Sequence, residues 1–402
     1  MNNHPYTEIF NSYILNGAHQ ALAQVQQSTG AIPDAVRGQA WHLLGYALGV
    51  DAAWPQVREL LLALSPKMEM AGYRDEWLAF LRAGVERSLA RQDRTVEARL
   101  ELAVGQLLRL ENRYPAAVEW LERALSTFQA QGDSHGIAAV HNQLGRVCYL
   151  QLRDIDAIGE AHKALSLLAE DDPERAESHF VLGMAALNQR DWEEAESQHR
   201  LSLEFRRRSG DPRTTAWAMQ NIGTVLLQQS EYGGADRLVE AVGWLEEAIA
   251  ILDSLPDPYH SAVARNSLAI VYTHLGQLEE AAALYCRAEE IFQSTDSSEW
   301  LARVHNNLGL VYLRKGDNRE AERSFRVGVA IYEELGNDAA RLNTQHGIVL
   351  ALLAQQRYAE AAALCEKGLA ELDALRAIPA QYAEKESWYR ASLAKAQAKL
   401  EQ

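Results

Sequence analysis

Amide side chains recur at one spacing along this 402-residue sequence. Asn142, Gln220, Asn266 and Asn306 each stand three residues before a small residue: Gly145, Gly223, Ala269 and Gly309. Gln143, Asn221 and Asn307 stand one residue later. An amide carries both a donor and an acceptor, so a ladder of amides can hold the main chain of an extended peptide whatever its side chains. Arginines fall on the same segments, at Arg99, Arg146, Arg303 and Arg314. A guanidinium there can meet a ligand carboxylate with two parallel hydrogen bonds. Tyr149, Phe180 and Trp217 would supply apolar anchors. A plainer role stays open for the asparagines, namely satisfying a neighbouring helix end or a contact between repeats.

Covalent chemistry finds little support. No Gly-rich loop ends in Gly-Lys-Ser/Thr, and His-Glu-x-x-His, Cys-x-x-Cys and Gly-x-Ser-x-Gly are all missing. His141, His179 and His305 share one repeat position, four before the small residue, which fits packing better than metal ligation. His162 and His199 lack a third and fourth ligand. Cys148, Cys286 and Cys365 are far apart and odd in number, so they read as buried, reduced thiols. We therefore expect no enzyme, no cofactor and no metal.

Composition narrows the partner. There are 39 basic and 55 acidic residues, a net charge of −16, which disfavours binding to nucleic acid. The run Arg206-Arg207-Arg208 precedes Ser209-Gly210-Asp211-Pro212 and reads as a helix C-terminus, where cations suit the dipole. No stretch is long and apolar enough for a membrane span. The opening residues lack a basic segment followed by an apolar run, so the cytoplasm is the expected compartment.

These side chains need a scaffold that repeats. Small residues fall at Gly45, Gly105, Gly145, Gly183, Gly223, Ala269, Gly309 and Val349, in steps near 40. Twelve residues beyond each come alanines such as Ala117, Ala157, Ala195, Ala281 and Ala321. With Gly at 25 and Pro at 10, breakers are scarce and the chain reads as nearly all helix. Small residues let two helix axes approach. Lys315-Gly316-Asp317 and Leu275-Gly276-Gln277 read as the short turns within pairs. Prolines at 173, 212, 256 and 258 suit the first turn of a following helix. Two steps differ: one of 60 leaves an extra, irregular helix from Trp77 to Leu89 without an assigned partner, and one of 46 places extra residues near Gly233–Leu238.

The stretch Asn306-Asn307-Leu308-Gly309-Leu310-Val311-Tyr312, followed by Ala321 and Phe325, resembles the tetratricopeptide repeat family. Its longer period is similar to that of kinesin light chains, spindle-orientation adaptors and bacterial sensor arrays. The resemblance implies an all-α, right-handed superhelix with terminal capping helices, in one continuous array. Segment 1–35 would be a helical cap or degenerate repeat, 36–95 a degenerate repeat with the extra helix, 96–370 the regular array and 371–402 a C-terminal cap.

It also implies that the first helix of each pair lines a concave groove. Fixed offsets then add Gln106, Arg109, Met184, Asn188, Thr224 and Gln228 to the candidates above. Thr273, His274, Asn343 and His346 complete the set. In related proteins the later asparagine holds peptide ligands, which extends to Asn221 and Asn307. The expected function is a non-enzymatic adaptor or scaffold holding a peptide or partner helix in the groove. The alternative is a peptide-sensing regulator whose superhelix changes pitch on binding. Self-association through exposed terminal faces is a further expectation.

Overall fold

The computed structural model describes residues 5–27, 32–71, 74–233, 236–255, 257–295, 297–374 and 383–401. Among the described residues there are 19 α-helices, one short 3-10 turn at Asp51–Ala53, and no strand. The helices belong to two compact units: Met1–Gln228 with Ser254–Asp257, and Gln229–Asp253 with Pro258–Gln402. The boundary falls inside the 46-residue step. The short segment returns to the first unit through a buried ion pair, Arg213 Nε to Asp257 Oδ2 at 2.7 Å. Within residues 233–238, Gly234 and Ala235 lie outside the described residues, as does Pro256.

The first unit begins with α1 (Pro5–Gln27), α2 (Asp34–Ala47), α3 (Trp54–Ala71) and α4 (Arg74–Arg91). Three regular hairpins follow: α5 (Arg94–Leu110) with α6 (Tyr114–Gln131), α7 (Ser134–Leu150) with α8 (Asp154–Leu167), and α9 (Arg175–Asn188) with α10 (Trp192–Ser209). Helix α11 (Pro212–Tyr232) carries the chain to the unit boundary. The second unit holds α12 (Leu238–Asp253), then α13 (Pro258–His274) with α14 (Leu278–Ser294) and α15 (Ser298–Lys315) with α16 (Asn318–Glu334). It ends with α17 (Asp338–Ala354), α18 (Tyr358–Ala374) and α19 (Ala383–Leu400).

Helix starts and stops follow local chemistry. Asp93, Asp133, Asp191 and Asn337 accept hydrogen bonds from the main-chain N–H three residues on, at Val96, Gly136, Glu194 and Ala340. The turns within pairs need one left-handed residue. Gly276 and Gly316 supply it with φ of 77° and 85°. Asn112, Leu152, Arg190 and Gln356 adopt the same conformation in other repeats without glycine's freedom. The Arg206–Arg208 run ends α10, and Gly210 caps it at φ 76°.

The crossing residues are small because nothing else fits. A Cβ at Gly105 would stand 2.7 Å from the Leu121 side chain, and one at Gly309 would stand 2.7 Å from Phe325. Two expectations are corrected here. Gly45 is exposed and a Cβ there meets nothing within 4 Å; the first crossing is at Gly17, 2.9 Å from Leu43, so the first pair is α1 with α2. The Trp77–Leu89 segment is also not an unpartnered helix. It is the regular helix α4, with Gly84 pressed between Leu61 of α3 and Leu100 of α5. Leu60, Leu61, Leu64, Trp77 and Leu81 are fully buried around it.

The last helix closes the second unit. Tyr389 is fully buried, donates its hydroxyl to the Leu342 carbonyl at 2.8 Å, and fills the space left by Gly368. His346 stacks on Trp388 and reaches Ser392 Oγ at 3.0 Å.

Candidate functional site

In the first unit the expected groove residues on α7 are engaged by the protein itself. Asn142, on α7, is 0% exposed. Its Nδ2 donates to Glu174 Oε1 at 2.8 Å and its Oδ1 accepts from Ser178 Oγ at 2.7 Å. Arg146 Nη1 meets Glu177 Oε2 at 3.0 Å, with the guanidinium 4.8 Å from the Phe180 ring. Arg206 grips the other oxygen of Glu177 at 2.6 Å. Arg109 donates to Gln143 at 3.2 Å, and Tyr149 is buried edge-on against Phe180. Asn142, Arg146 and Tyr149, expected to line the groove, are thus engaged in contacts between successive repeats.

The charges confirm the tightness of this cluster. Burial would raise Glu177, but Arg206 and Arg146 hold its carboxyl down at about 2. Glu174 moves the other way: burial and the Glu177 charge push it up to about 7, against the Asn142 hydrogen bond. Nearby, His199 is buried with neither ring nitrogen hydrogen-bonded, and burial lowers it to about 4.

Elsewhere in the first unit the candidates are looser. Arg99 is exposed and makes no ion pair among the described residues. Trp217 is half-buried on α11. Gln220 and Asn221 are half-buried beside it, with side chains that form no hydrogen bond among the described residues.

The second unit brings several candidates together around an open cleft of about 370 Å³. Asn266 and Ile270 come from α13 and Arg303, Asn306 and Asn307 from α15. Asn343 and Thr344 come from α17, with Asn337 at its N-cap. The amides form a relay. Asn306 Nδ2 donates to Asn307 Oδ1 at 3.3 Å, and Asn307 Nδ2 donates to Asn266 Oδ1 at 3.3 Å. The relay leaves an acceptor, Asn306 Oδ1, at one end and a donor, Asn266 Nδ2, at the other. Neither has a partner among the described residues. That is the polarity of a strand edge, presented by side chains.

Arg314, another expected groove residue, donates from Nη1 to the Thr273 carbonyl at 2.7 Å, capping the last turn of α13. Sequence reasoning missed Glu299, Trp300 and Tyr332, which complete the wall. Trp300 lies one turn before Arg303 on the same face of α15, a spacing that could have flagged it.

Other chemistry-bearing residues stand apart from this cleft. His141 bonds Glu160 at 2.6 Å, His179 bonds Gln198 at 2.7 Å, and His305 faces Glu289 at 3.6 Å, each reaching the second helix of its own or the preceding pair. Cys148 and Cys365 are buried, and burial pushes both thiols up. Cys286 is exposed, contrary to expectation; burial of its sulfur and then Glu289 and Glu290 raise it, so it is no activated nucleophile. Among the described residues no group of three or more His, Cys, Asp or Glu could hold a metal ion, and no helix is long and apolar enough to cross a membrane.

Three models described as tetratricopeptide repeat match residues 149–212, 232–294 and 301–335. The chain carries tetratricopeptide repeats. The repeat protein is 26% identical over 133 residues to the transcriptional activator NprA of Geobacillus stearothermophilus, a match covering 33% of this chain. The chain spans only about a third of that relative's length, 32%. In structure it is similar to a Rap protein complexed with competence and sporulation factor, at 16% identity and a TM-score of 0.55, covering 97% of this chain and 98% of that one. It is likewise similar to the apo form of the quorum sensor NprR from B. thuringiensis, at 16% identity and a TM-score of 0.54, covering 75% of this chain and 80% of that one. At these identities the likeness shows the fold.

Proposed function

We propose that this repeat protein is a non-enzymatic peptide-binding adaptor, and that the cleft between α13, α15 and α17 is where it holds an extended segment of its partner. The observation that carries this reading is the Asn306–Asn307–Asn266 relay with its two unpaired ends. A peptide main chain offers a donor and an acceptor at each residue, so it can satisfy both ends without regard to its side chains. Three unpaired thiols suit a reducing compartment, and we place the protein in the cytoplasm.

The test is Asn307→Ala. Peptide binding should fall about tenfold, while stability falls by no more than about 2 kcal/mol, the worth of the two half-exposed hydrogen bonds that are lost. Unfolding of the variant at a temperature where wild type stays folded would make Asn307 structural and sink the reading.

A second reading, a peptide-sensing regulator, is favoured by one observation. The similar Rap structure, which aligns over nearly its whole length, is a complex with a factor. Under that reading, ligand binding changes the pitch of the array. Small-angle scattering with and without a bound peptide separates the two: a changed radius of gyration favours the sensor, an unchanged one the adaptor.

A further inference from the structure

Helix α1 carries two stripes, and the fold uses only one. Ile14, Ala21 and Val25 are buried in the core shared with α2 and α3. On the opposite side Ile9, Tyr13, Asn16, Gln20, Ala23 and Gln27 are all exposed. They are spaced four, three, four, three and four residues apart, the interval that keeps a seam on one face of a helix.

A surface helix ordinarily turns charge toward water. Here Glu8 is the one Asp, Glu, Lys or Arg in the 23 residues of α1, and Tyr13 stands 74% exposed. At the same end, Phe10 meets Tyr46 of α2 edge-on with 6.2 Å between ring centroids, and both rings are about half exposed. Exposed aromatic and aliphatic side chains grouped in this way mark an interaction face.

Charge and residue order say what covers it. The chain carries a net charge of −16, so two copies repel wherever their acidic surfaces meet. The α1 face is almost free of charge, and copies can approach there without that penalty. The stripe is also self-complementary. A second α1 can be laid antiparallel across it, about a two-fold axis near Ala18. Tyr13 then faces Ala23, Asn16 faces Gln20 and Ile9 faces Gln27, and the symmetry makes each pair twice. The exposed ring meets the smallest side chain of the stripe, as knobs-into-holes packing requires. Asn16 and Gln20 each offer the other an amide donor and acceptor, and a polar pair within a seam fixes its register.

We infer that the α1 stripe is an interface with a second copy of this chain, formed by antiparallel pairing of the two α1 helices around the Tyr13–Ala23 layers. The seam is short and partly polar, so the dimer is reversible and its population follows concentration. The inference stands apart from peptide binding, because α1 belongs to the first unit and the cleft to the second.

The test is sedimentation velocity of the full chain from low to high micromolar concentration. Wild type should move from the 44.8 kDa of one chain toward twice that mass. Tyr13→Ala opens a gap in each layer and Ala23→Tyr sets ring against ring, so each should weaken dimerisation about tenfold. The double change rebuilds both layers with the partners exchanged, and should return the affinity to within about threefold of wild type. Tyr13 and Ala23 are both exposed, so all three variants should share the wild-type melting transition at a dilution where every chain is monomeric.

A wild type that keeps the mass of one chain throughout overturns the inference and leaves the stripe to another partner. A dimer that neither single change weakens sits on another face and overturns it too. Single losses that the double change does not rescue overturn it as well, because the exchange tests the antiparallel register directly.

Discussion

Asn142 in the first unit and Asn266 and Asn306 in the second occupy the same repeat position, yet they do opposite work. Asn142 is sealed between Glu174 and Ser178, and its neighbour Arg146 is spent on Glu177. Asn266 and Asn306 pass hydrogen bonds through Asn307 and end in an unpaired donor and acceptor. The difference lies in what the next first helix brings. Helix α9 is entered through Glu174 and carries Glu177, so carboxylates reach back over α7 and neutralise its arginine and amide. Helix α15 brings Asn307 to α13 instead, and an amide can bond to an amide without exhausting it. A repeat surface becomes a joint when its neighbour brings charge, and a cleft when its neighbour brings more amides.

The largest way to break this contrast is Glu177→Gln. The change leaves Arg146 and Arg206 without their shared carboxylate, and removing the common partner of this largely buried network costs up to about 3 kcal/mol. Urea unfolding should show that loss for Glu177→Gln. The matching change in the second unit, Glu299→Gln, should cost no more than about 0.5 kcal/mol, because its pair is half-exposed. Equal losses from the two would mean that the first-unit network is no tighter than a surface pair.

A second large effect comes from His199, which fills against Gly183 the slot that Leu121 fills against Gly105 and Phe325 against Gly309. Its imidazole is neutral in the folded protein, with a pKa lowered from 6.5 to about 4. Its titration therefore adds no cost well above pH 6.5 and progressively destabilises the fold as pH falls toward 4. Over that window the penalty is about 3 kcal/mol. His199→Leu should remove this part of the acid sensitivity. It should also raise stability at pH 7 by about 1 kcal/mol, because two unpaired ring nitrogens leave the core. Thermal melts at pH 7 and pH 4.5 check both statements.

Much of the architecture was readable in advance for a simple reason. A crossing helix pair needs a small residue at a fixed point, so Gly105, Gly145, Gly183 and Gly309 mark the pairs directly. The same rule misled at Gly45, because a glycine can also sit on an exposed helix face where nothing presses on it. The site was harder to read. Residue type and register placed Asn142 and Asn266 in one class, but their fate depends on carboxylates and amides supplied from 32 and 41 residues further along the chain. Trp300 escaped because it precedes the repeat's recurring offsets, although its position one turn before Arg303 was visible.

Glu174 offers a pH effect of the opposite sign. Its folded pKa is raised from 4.5 to about 7, so its favourable contribution is complete below pH 4.5 and is lost as pH rises through 7. Glu174→Gln keeps an acceptor for Asn142 and removes the charge beside Glu177. The variant should be more stable than wild type at pH 8 and indistinguishable from it at pH 4.5. A stability gain that did not depend on pH would mean that the charge of Glu174 is not what strains the joint.

The smallest effect sharpens the contrast from the cleft side. Asn306→Ala removes the outer member of the relay, whose only side-chain bond among the described residues is the 3.3 Å contact to Asn307. Asn306 is half-buried, so water can replace that bond, and stability should change by less than about 0.5 kcal/mol. Binding should nevertheless weaken about threefold, because the acceptor end of the relay is gone while Asn266 and Asn307 still offer theirs. Calorimetry of wild type and variant with one bound peptide measures the ratio. A variant that binds as wild type does would confine the ligand to the Asn266 end, and a variant that unfolds would turn this relay into a joint like that of Asn142.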